Sequence, residues 1–321
     1  MWLKMLCYEN LVMNYKKILI IGAGQIGSRH LQALKTVNLP LDIFVVDQSD
    51  VSLKIAKERY DSIPAGKTIH NIEYSQELLK NKIYDIAIIA TTSGPRAALT
   101  KELLSKSRVK YLILEKLLFT KKNDYALIGK LLKTRRVKAW VNCPMRMIPF
   151  YKEFRKELDR QKITYILHGN QSGLATDLIH HLDYIAYLTG SKEFSLNTGL
   201  LDKKIKDSKR KGYLEITGTL TAEFKNGSLG LFRCDDKGST PKIIEILSQY
   251  KRYIIKENEG KAQIPYQSQL TTTLVENLLT TGKCELPTYK ESAKYHLMAL
   301  EPLLKFLNKI LKRKYNYYPF T

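Results

Sequence analysis

The chain has 321 residues, more than one domain usually holds, so two domains are expected, and its 44% apolar and 26% charged content is ordinary for a soluble globular protein. The formal net charge of +22 points toward anionic partners, among them nucleotides, nucleotide sugars, nucleic acid or an acidic membrane surface. No long basic block with interleaved aromatics occurs, which argues against nucleic acid and leaves a lysine-rich solvated surface as the plain alternative.

The opening Met1–Asn10 is interrupted by Glu9 and lacks a small-residue cleavage site, so no signal peptide is expected. Met13 is a candidate start, and residues 1–14 read as an N-terminal extension. No apolar run approaches the roughly 18–20 residues of a membrane span. Cys7, Cys143, Cys234 and Cys284 are far apart with no C-x-x-C spacing, so neither a metal site nor a disulfide framework is expected, and the chain reads as cytoplasmic.

Ile18-Leu19-Ile20-Ile21 reads as a buried parallel strand. Gly22-Ala23-Gly24-Gln25-Ile26-Gly27 follows and runs into helical spacing at Ile26, Leu31 and Leu34. In a dinucleotide-binding turn Gly22 permits the sharp bend, Gly24 admits a pyrophosphate against the backbone, and Gly27 lets helix and strand pack closely. The helix N-terminus there presents N–H groups and a partial positive charge to a phosphate. A second strand, Leu41–Val46, ends in Asp47, placed for the adenine ribose hydroxyls. That carboxylate repels a 2′-phosphate, and the next residues, Gln48, Ser49 and Asp50, offer no cation, so NAD is expected over NADP.

Further along, Val51–Tyr60 has helical spacing and a short helix is expected around Ser75–Leu79. The apolar strand Tyr84–Ala90 ends in Thr91-Thr92-Ser93, a turn at the carboxyl edge of the sheet where ligands bind. A helix over Ala97–Leu104, a strand Tyr111–Leu114 ending in Glu115-Lys116, a helix Asp124–Thr134 and a strand Val137–Val141 complete a doubly wound parallel α/β fold, the Rossmann type, over residues 15–145.

Residues 146–321 read as a substrate-binding and oligomerisation domain of the α+β class. Helices are expected at Pro149–Arg160, Asp177–Leu188, Leu270–Leu279 and Tyr289–Leu311, and a strand at Ile163–Leu167. Leu214–Phe224 and Ser228–Cys234 flank Asn226-Gly227, a strong hairpin signal, and Ile243–Leu247 with Tyr253–Lys256 extend the same antiparallel sheet. Its outer face, bearing Leu229 or Leu231 according to register, is expected to bury against another subunit, giving a homodimer or homotetramer. The basic stretch Lys203–Lys211 reads as an exposed loop, either solvated or closing over a diphosphate.

Asp177 and His181 are four residues apart and share a helix face, so the carboxylate can orient the imidazole and raise its basicity, as a general base requires. At Glu115-Lys116-Leu117 and Asp177-x-x-x-His181 the chain resembles the glucose-fructose oxidoreductase/inositol dehydrogenase (Gfo/Idh/MocA) family. The resemblance implies an NAD-dependent dehydrogenase or reductase of a sugar, cyclitol or nucleotide sugar, with a small-molecule substrate that includes anionic sugars. It also implies an open, largely antiparallel sheet in the second domain. Lys116, His181 and Asp177 would be catalytic, with Lys116 holding the reacting oxygen near the nicotinamide. Gly22, Gly24, Gln25, Ile26, Gly27, Asp47, Thr91, Thr92, Ser93 and Glu115 would hold the cofactor. Arg146 matches a family arginine at the domain junction, and Arg96 stands at the family histidine, where its permanent charge suits a substrate phosphate or carboxylate. His180 reads as packing or substrate rim, and His30, His70, His168 and His296 as structural. Two other readings are an enzyme that retains NAD and cleaves a glycosidic bond by transient oxidation, and a non-catalytic NAD sensor.

Overall fold

Runs of Ile, Leu and Val have no polar face to turn to water, so they fold as strands covered on both sides. In the computed structural model, which describes residues 14–64, 66–170, 173–260 and 262–321, the first half builds such a sheet. Its strands are β1 (Lys16–Ile21), β2 (Leu41–Val46), β3 (Asn71–Ser75), β4 (Ile83–Ile89), β5 (Arg108–Leu114) and β6 (Lys138–Val141), in the order β3-β2-β1-β4-β5-β6. All neighbouring pairs are parallel. Helices α1 (Gln25–Leu34), α2 (Asp50–Asp61), α3 (Ser93–Lys106) and α4 (Lys122–Thr134) make the crossovers. Strand order reverses between β1 and β4, which opens a crevice at their carboxyl ends where a ligand can lie. The extension read over residues 1–14, with Met13 and Cys7, lies outside the described residues except for Asn14.

The second half begins with a 3₁₀ turn at Pro144–Met147 and α5 (Pro149–Leu158), and continues with β7 (Thr164–Asn170), α6 (Leu174–Thr189) and β8 (Phe194–Leu201). A small hairpin of β9 (Lys206–Asp207) and β10 (Leu214–Glu215) precedes β11 (Gly218–Phe224), β12 (Leu229–Asp235), β13 (Ile243–Leu247) and β14 (Arg252–Lys256). The main sheet runs β14-β13-β7-β12-β11-β8, with one parallel pair, β7 and β12, in an otherwise antiparallel arrangement. The chain ends with α7 (Gln267–Thr281), α8 (Tyr289–Leu311) and a tail.

Three expectations are corrected. The segment read as a helix around Ser75–Leu79 is preceded by strand β3 and has no helix of its own, because the alternation from Asn71 to Ser75 pairs with β2. The single strand expected over Leu214–Phe224 is broken, since Gly218 at φ +103° bends the chain between β10 and β11. The basic stretch is no plain loop: Lys206 and Asp207 within it form β9, which pairs with β10 just beyond it.

The two halves interlock. Helix α7 returns to the first sheet, where Leu274, Val275 and Leu278 pack with Ile18, Leu31 and Leu34. The tail crosses back as well, with Tyr318 N–H donating to Thr120 O at 2.6 Å and Pro319 O accepting from Leu214 N–H at 2.7 Å.

Candidate active site

The turn after β1 is built by steric need. Gly22 sits at φ +95°, and a Cβ on Gly27 would lie 1.7 Å from Gly22 O, so α1 packs directly on the loop. A Cβ on Gly24 would meet nothing within 4 Å and would project into open space at the start of α1. That space adjoins first-turn N–H groups, and the turn has no acidic residue, so it suits a pyrophosphate. Asp47, at the end of β2, accepts from Ala23 N–H at 2.7 Å and Ser49 N–H at 2.9 Å, which fixes the carboxylate while leaving lone pairs for ribose hydroxyls.

Two cavities meet there, sharing Gly22, Asp47 and Thr91. One, of about 450 Å³, is lined by Leu78, Pro95 and Leu99 together with polar groups such as Gln48, Glu77 and Lys80, a mixed pocket on the Asp47 side that suits an adenosine. The other, of about 540 Å³, runs from Gly24, Gln25 and Ile26 past Thr92 to Glu115, Lys116 and His180. The glycine loop, the acid and the paired cavities fit a dinucleotide such as NAD.

At the far end of the cleft Lys116 Nζ donates to Thr176 O at 2.9 Å. Burial lowers its pKa from 10.5, only partly offset by Asp177 and Glu115. The Lys116–Leu117 peptide is cis. Glu115 lines the cleft with its carboxylate already engaged: Oε1 bonds His30 Nε2 at 3.0 Å and also accepts from Asn142 Nδ2. His30 Nδ1 in turn meets Thr271 Oγ1 of α7 at 2.7 Å, so this chain ties α1, β5 and α7 together.

His180 lines the cleft, and among the described residues its buried Nδ1 has no hydrogen-bond partner. Burial, reinforced by the charge of Lys116, pushes its pKa down to about 3, so the ring is neutral at ordinary pH.

Five sequence assignments are corrected by this geometry. His181 does not reach the cleft: one residue along α6 turns it about 100° away, and it is fully buried with Nδ1 at 2.6 Å from Tyr165 OH and Nε2 at 3.3 Å from Asp177 Oδ2. Burial and Lys242 lower its pKa despite Asp177, opposite to the expected rise. Asp177 lies behind the cleft too; burial would raise it, but the His181 hydrogen bond and Lys242, 3.4 Å away, hold it well below the carboxylate range. Arg146 is spent on Asp183, with Nε and Nη2 donating at 2.7 and 2.6 Å, and does not line the cleft. Arg96 borders the cleft but is 1% exposed, and its guanidinium donates to the carbonyls of Thr91, Leu117 and Leu118, so it braces the wall. Ser93 is buried, with its N–H and hydroxyl taken by Thr321 Oγ1 at 2.9 Å and Phe320 O at 2.6 Å.

Sequence reasoning missed Asn142, Pro144, Arg210 and Thr321, which all line the cleft. Only Arg210 carried a signal, as part of the basic stretch; the tail's return could not be read from its Tyr/Pro composition. Among the described residues no group of three or more His, Cys, Asp or Glu side chains is arranged to hold a metal ion, and no helix is long and apolar enough to cross a membrane.

Fold and cleft together define a two-domain protein whose first half is a dinucleotide-binding domain. Residues 16–143 match the family described as "Oxidoreductase family, NAD-binding Rossmann fold", so the first domain is similar to the NAD-binding domain of the Gfo/Idh/MocA oxidoreductases. No curated protein sequence matches the chain significantly. The whole fold is similar to myo-inositol 2-dehydrogenase from Lactobacillus plantarum, at TM-score 0.69 and 15% identity over 92% of this chain and 98% of that one. It is also similar to myo-inositol dehydrogenase from Lactobacillus casei in complex with NAD(H) and myo-inositol, at TM-score 0.65 and 15% identity over 94% and 96%. An oxidoreductase from Agrobacterium radiobacter in complex with NAD+, L-tartaric acid and magnesium gives TM-score 0.64 and 15% identity over 88% and 94%.

Proposed function

We propose that the protein is an NAD-dependent dehydrogenase or reductase acting on a secondary alcohol carbon, or the matching ketone, of a sugar, cyclitol or nucleotide sugar. The observation that carries this reading is one cleft lined by the dinucleotide-binding turn and by Lys116 and His180. The compounds bound to two similar structures, myo-inositol and L-tartaric acid, both carry secondary hydroxyls.

Bound NAD supplies the hydride acceptor. Lys116, whose amine is made easier to deprotonate by burial, takes the hydroxyl proton as the carbon is oxidised, and in the reverse direction returns it to the carbonyl oxygen. His180, held neutral and lining the cleft, bonds the same or the adjacent hydroxyl and fixes the carbon's orientation. The buried pair of Asp177 and His181 supports the turn of α6 from which His180 projects.

NADH formation across a panel of myo-inositol, aldoses, uronates and nucleotide sugars tests this. At least one should be oxidised, with Lys116→Ala lowering turnover by about 10²–10⁴. Release of free sugar without net NADH would favour the glycosidase reading, and NAD binding with no chemistry on any compound would favour the sensor. The Asp47 carboxylate supports NAD over NADP, so NADH should bind more tightly than NADPH, and equal affinities would overturn that preference.

A further inference from the structure

Residues 213–216, at and around β10, each hold another part of the chain. Tyr213 OH accepts from Gly94 N–H of α3 at 3.1 Å, and Leu214 N–H donates to Pro319 O of the tail at 2.7 Å. Glu215 Oε1 accepts from Ala175 N–H at 2.7 Å and Oε2 from the Thr176 hydroxyl, while Ile216 O accepts from Leu174 N–H at 3.2 Å. The first turn of α6 is thus capped from a strand 40 residues away.

A helix usually satisfies its leading N–H groups with a Ser, Thr, Asp or Asn directly before it. Here the N-cap is Gly173, at φ +60° with no side-chain bond, and a Cβ on it would lie 2.2 Å from Glu215 Oε2. The glycine leaves room for a carboxylate brought from elsewhere. Burial pushes that carboxyl above its ordinary pKa in spite of its hydrogen bonds, so the arrangement costs stability that a local cap would spare.

The turn fixed in this way is the one that holds Lys116. Lys116 Nζ donates to Thr176 O at 2.9 Å, a bond between the two domains, and in the helical ladder the same carbonyl serves the N–H of His180. A neutral amine has one lone pair. With one N–H committed to Thr176 O, that pair is confined to the remaining directions around Nζ.

Taking Lys116 as the base of the dehydrogenase proposed above, we propose that Glu215 is a positioning residue: by fixing the first turn of α6 it sets the Thr176 carbonyl and, through it, the Lys116 amine. Its reach matters more than its charge.

The titratable groups facing Lys116 are Glu115, Cys143, Asp177, His180, Arg210 and His296, and all are kept in the variants that test this. A carbonyl favours the ammonium over the amine, so loosening it should lower the Lys116 pKa. Competitive acetylation of the NAD-loaded protein with acetic anhydride across a pH series, read at Lys116 by peptide mass spectrometry, follows that titration without turnover. In Glu215→Asp, one methylene shorter, the midpoint should move to lower pH. Its kcat on whichever compound of the panel is oxidised should fall about tenfold or more, with NAD affinity within about twofold of the parent. Glu215→Gln keeps the reach and loses the charge, and should titrate like the parent with kcat within about threefold of it. Thr176→Val, which removes the hydroxyl bonded to Glu215, should move the midpoint in the same direction as Glu215→Asp, so the test does not hang on one variant folding. A midpoint that stays in place in Glu215→Asp and Thr176→Val overturns the proposal. So does a Glu215→Gln variant as impaired as Glu215→Asp, which would assign the effect to charge, or a loss of NAD binding in step with kcat, which would make Glu215 a support of the fold alone. If the Lys116 titration follows Glu215 while no compound is oxidised, the positioning of Lys116 stands and the dehydrogenase reading falls.

Discussion

His180 and His181 are chain neighbours with different fates, because successive helical residues point about 100° apart. His180 lines the cleft, while His181 is sealed between Tyr165 and Asp177. His180→Ala should therefore lower turnover by about 10²-fold or more and leave NAD affinity near that of the parent. His181→Ala should act through the fold, costing about 1–3 kcal/mol because Tyr165 OH and Asp177 lose a buried partner, with kcat of the folded fraction little changed. Thermal melts and steady-state kinetics on both variants separate the two roles. The pH profile has a definite sign. Oxidation needs the neutral amine of Lys116, so the rate rises with pH through a pKa that burial sets below 10.5. His180, at about 3, adds no limb in the neutral range. The limb should persist in His180→Ala and vanish in Lys116→Arg. A limb near the ordinary histidine value that disappears in His181→Ala would restore His181 as the base.

At the scale of elements, the glycine turn makes two substitutions that look alike behave differently. Gly24 has φ −66°, and its Cβ would meet no protein atom within 4 Å, so Gly24→Ala should melt like the parent yet bind NAD about tenfold or more weakly, since the methyl fills the phosphate space. Gly27→Ala places a methyl 1.7 Å from Gly22 O, and the backbone must separate. It should lose about 1–3 kcal/mol of stability as well as cofactor affinity. Differential scanning fluorimetry with and without NAD reads both effects, and equal melting of the two variants would contradict the packing account. This turn was legible in the sequence because its demands are local: φ, contact and helix start all fall within Gly22–Gly27. Strands β1, β2, β4 and β5 were legible for a similar reason, as apolar runs with one structural solution. β3 and β8 were not, because both are half exposed and carry Asn and Ser among their apolar residues, so neither period dominates. The Asn226-Gly227 hairpin was read correctly, with Gly227 at φ +78° and Leu220 opposite Phe232.

At the scale of the molecule, what the sequence withheld is long-range. Arg210, Thr321 and helix α7 reach the cleft or the first domain from the far end of the chain, and no periodicity encodes such returns. The alternation along the second sheet, by contrast, marks two faces. Leu220, Phe232, Leu167, Ile244 and Ile255 lie side by side across five strands and are buried, with α6 and α8 packed against this sheet. On the opposite face Leu231 sits directly beside Ile166, with Ile254 farther along the same row and 57% exposed, and Leu229 in the next row at 46%. Threonines and the Arg252–Glu245 pair interrupt this surface without making it polar throughout. Apolar area left in water forgoes roughly 25 cal/mol per Å², so a second copy covering the face stabilises the assembly. The protein should therefore sediment as a homodimer or homotetramer at micromolar concentration. Leu231→Glu, which buries a carboxylate against Ile166 in any such interface, should shift it toward the single-chain mass without lowering the melting of the isolated subunit. A parent that sediments as one chain, or a Leu231→Glu variant whose assembly is unchanged, would remove this face as the interface.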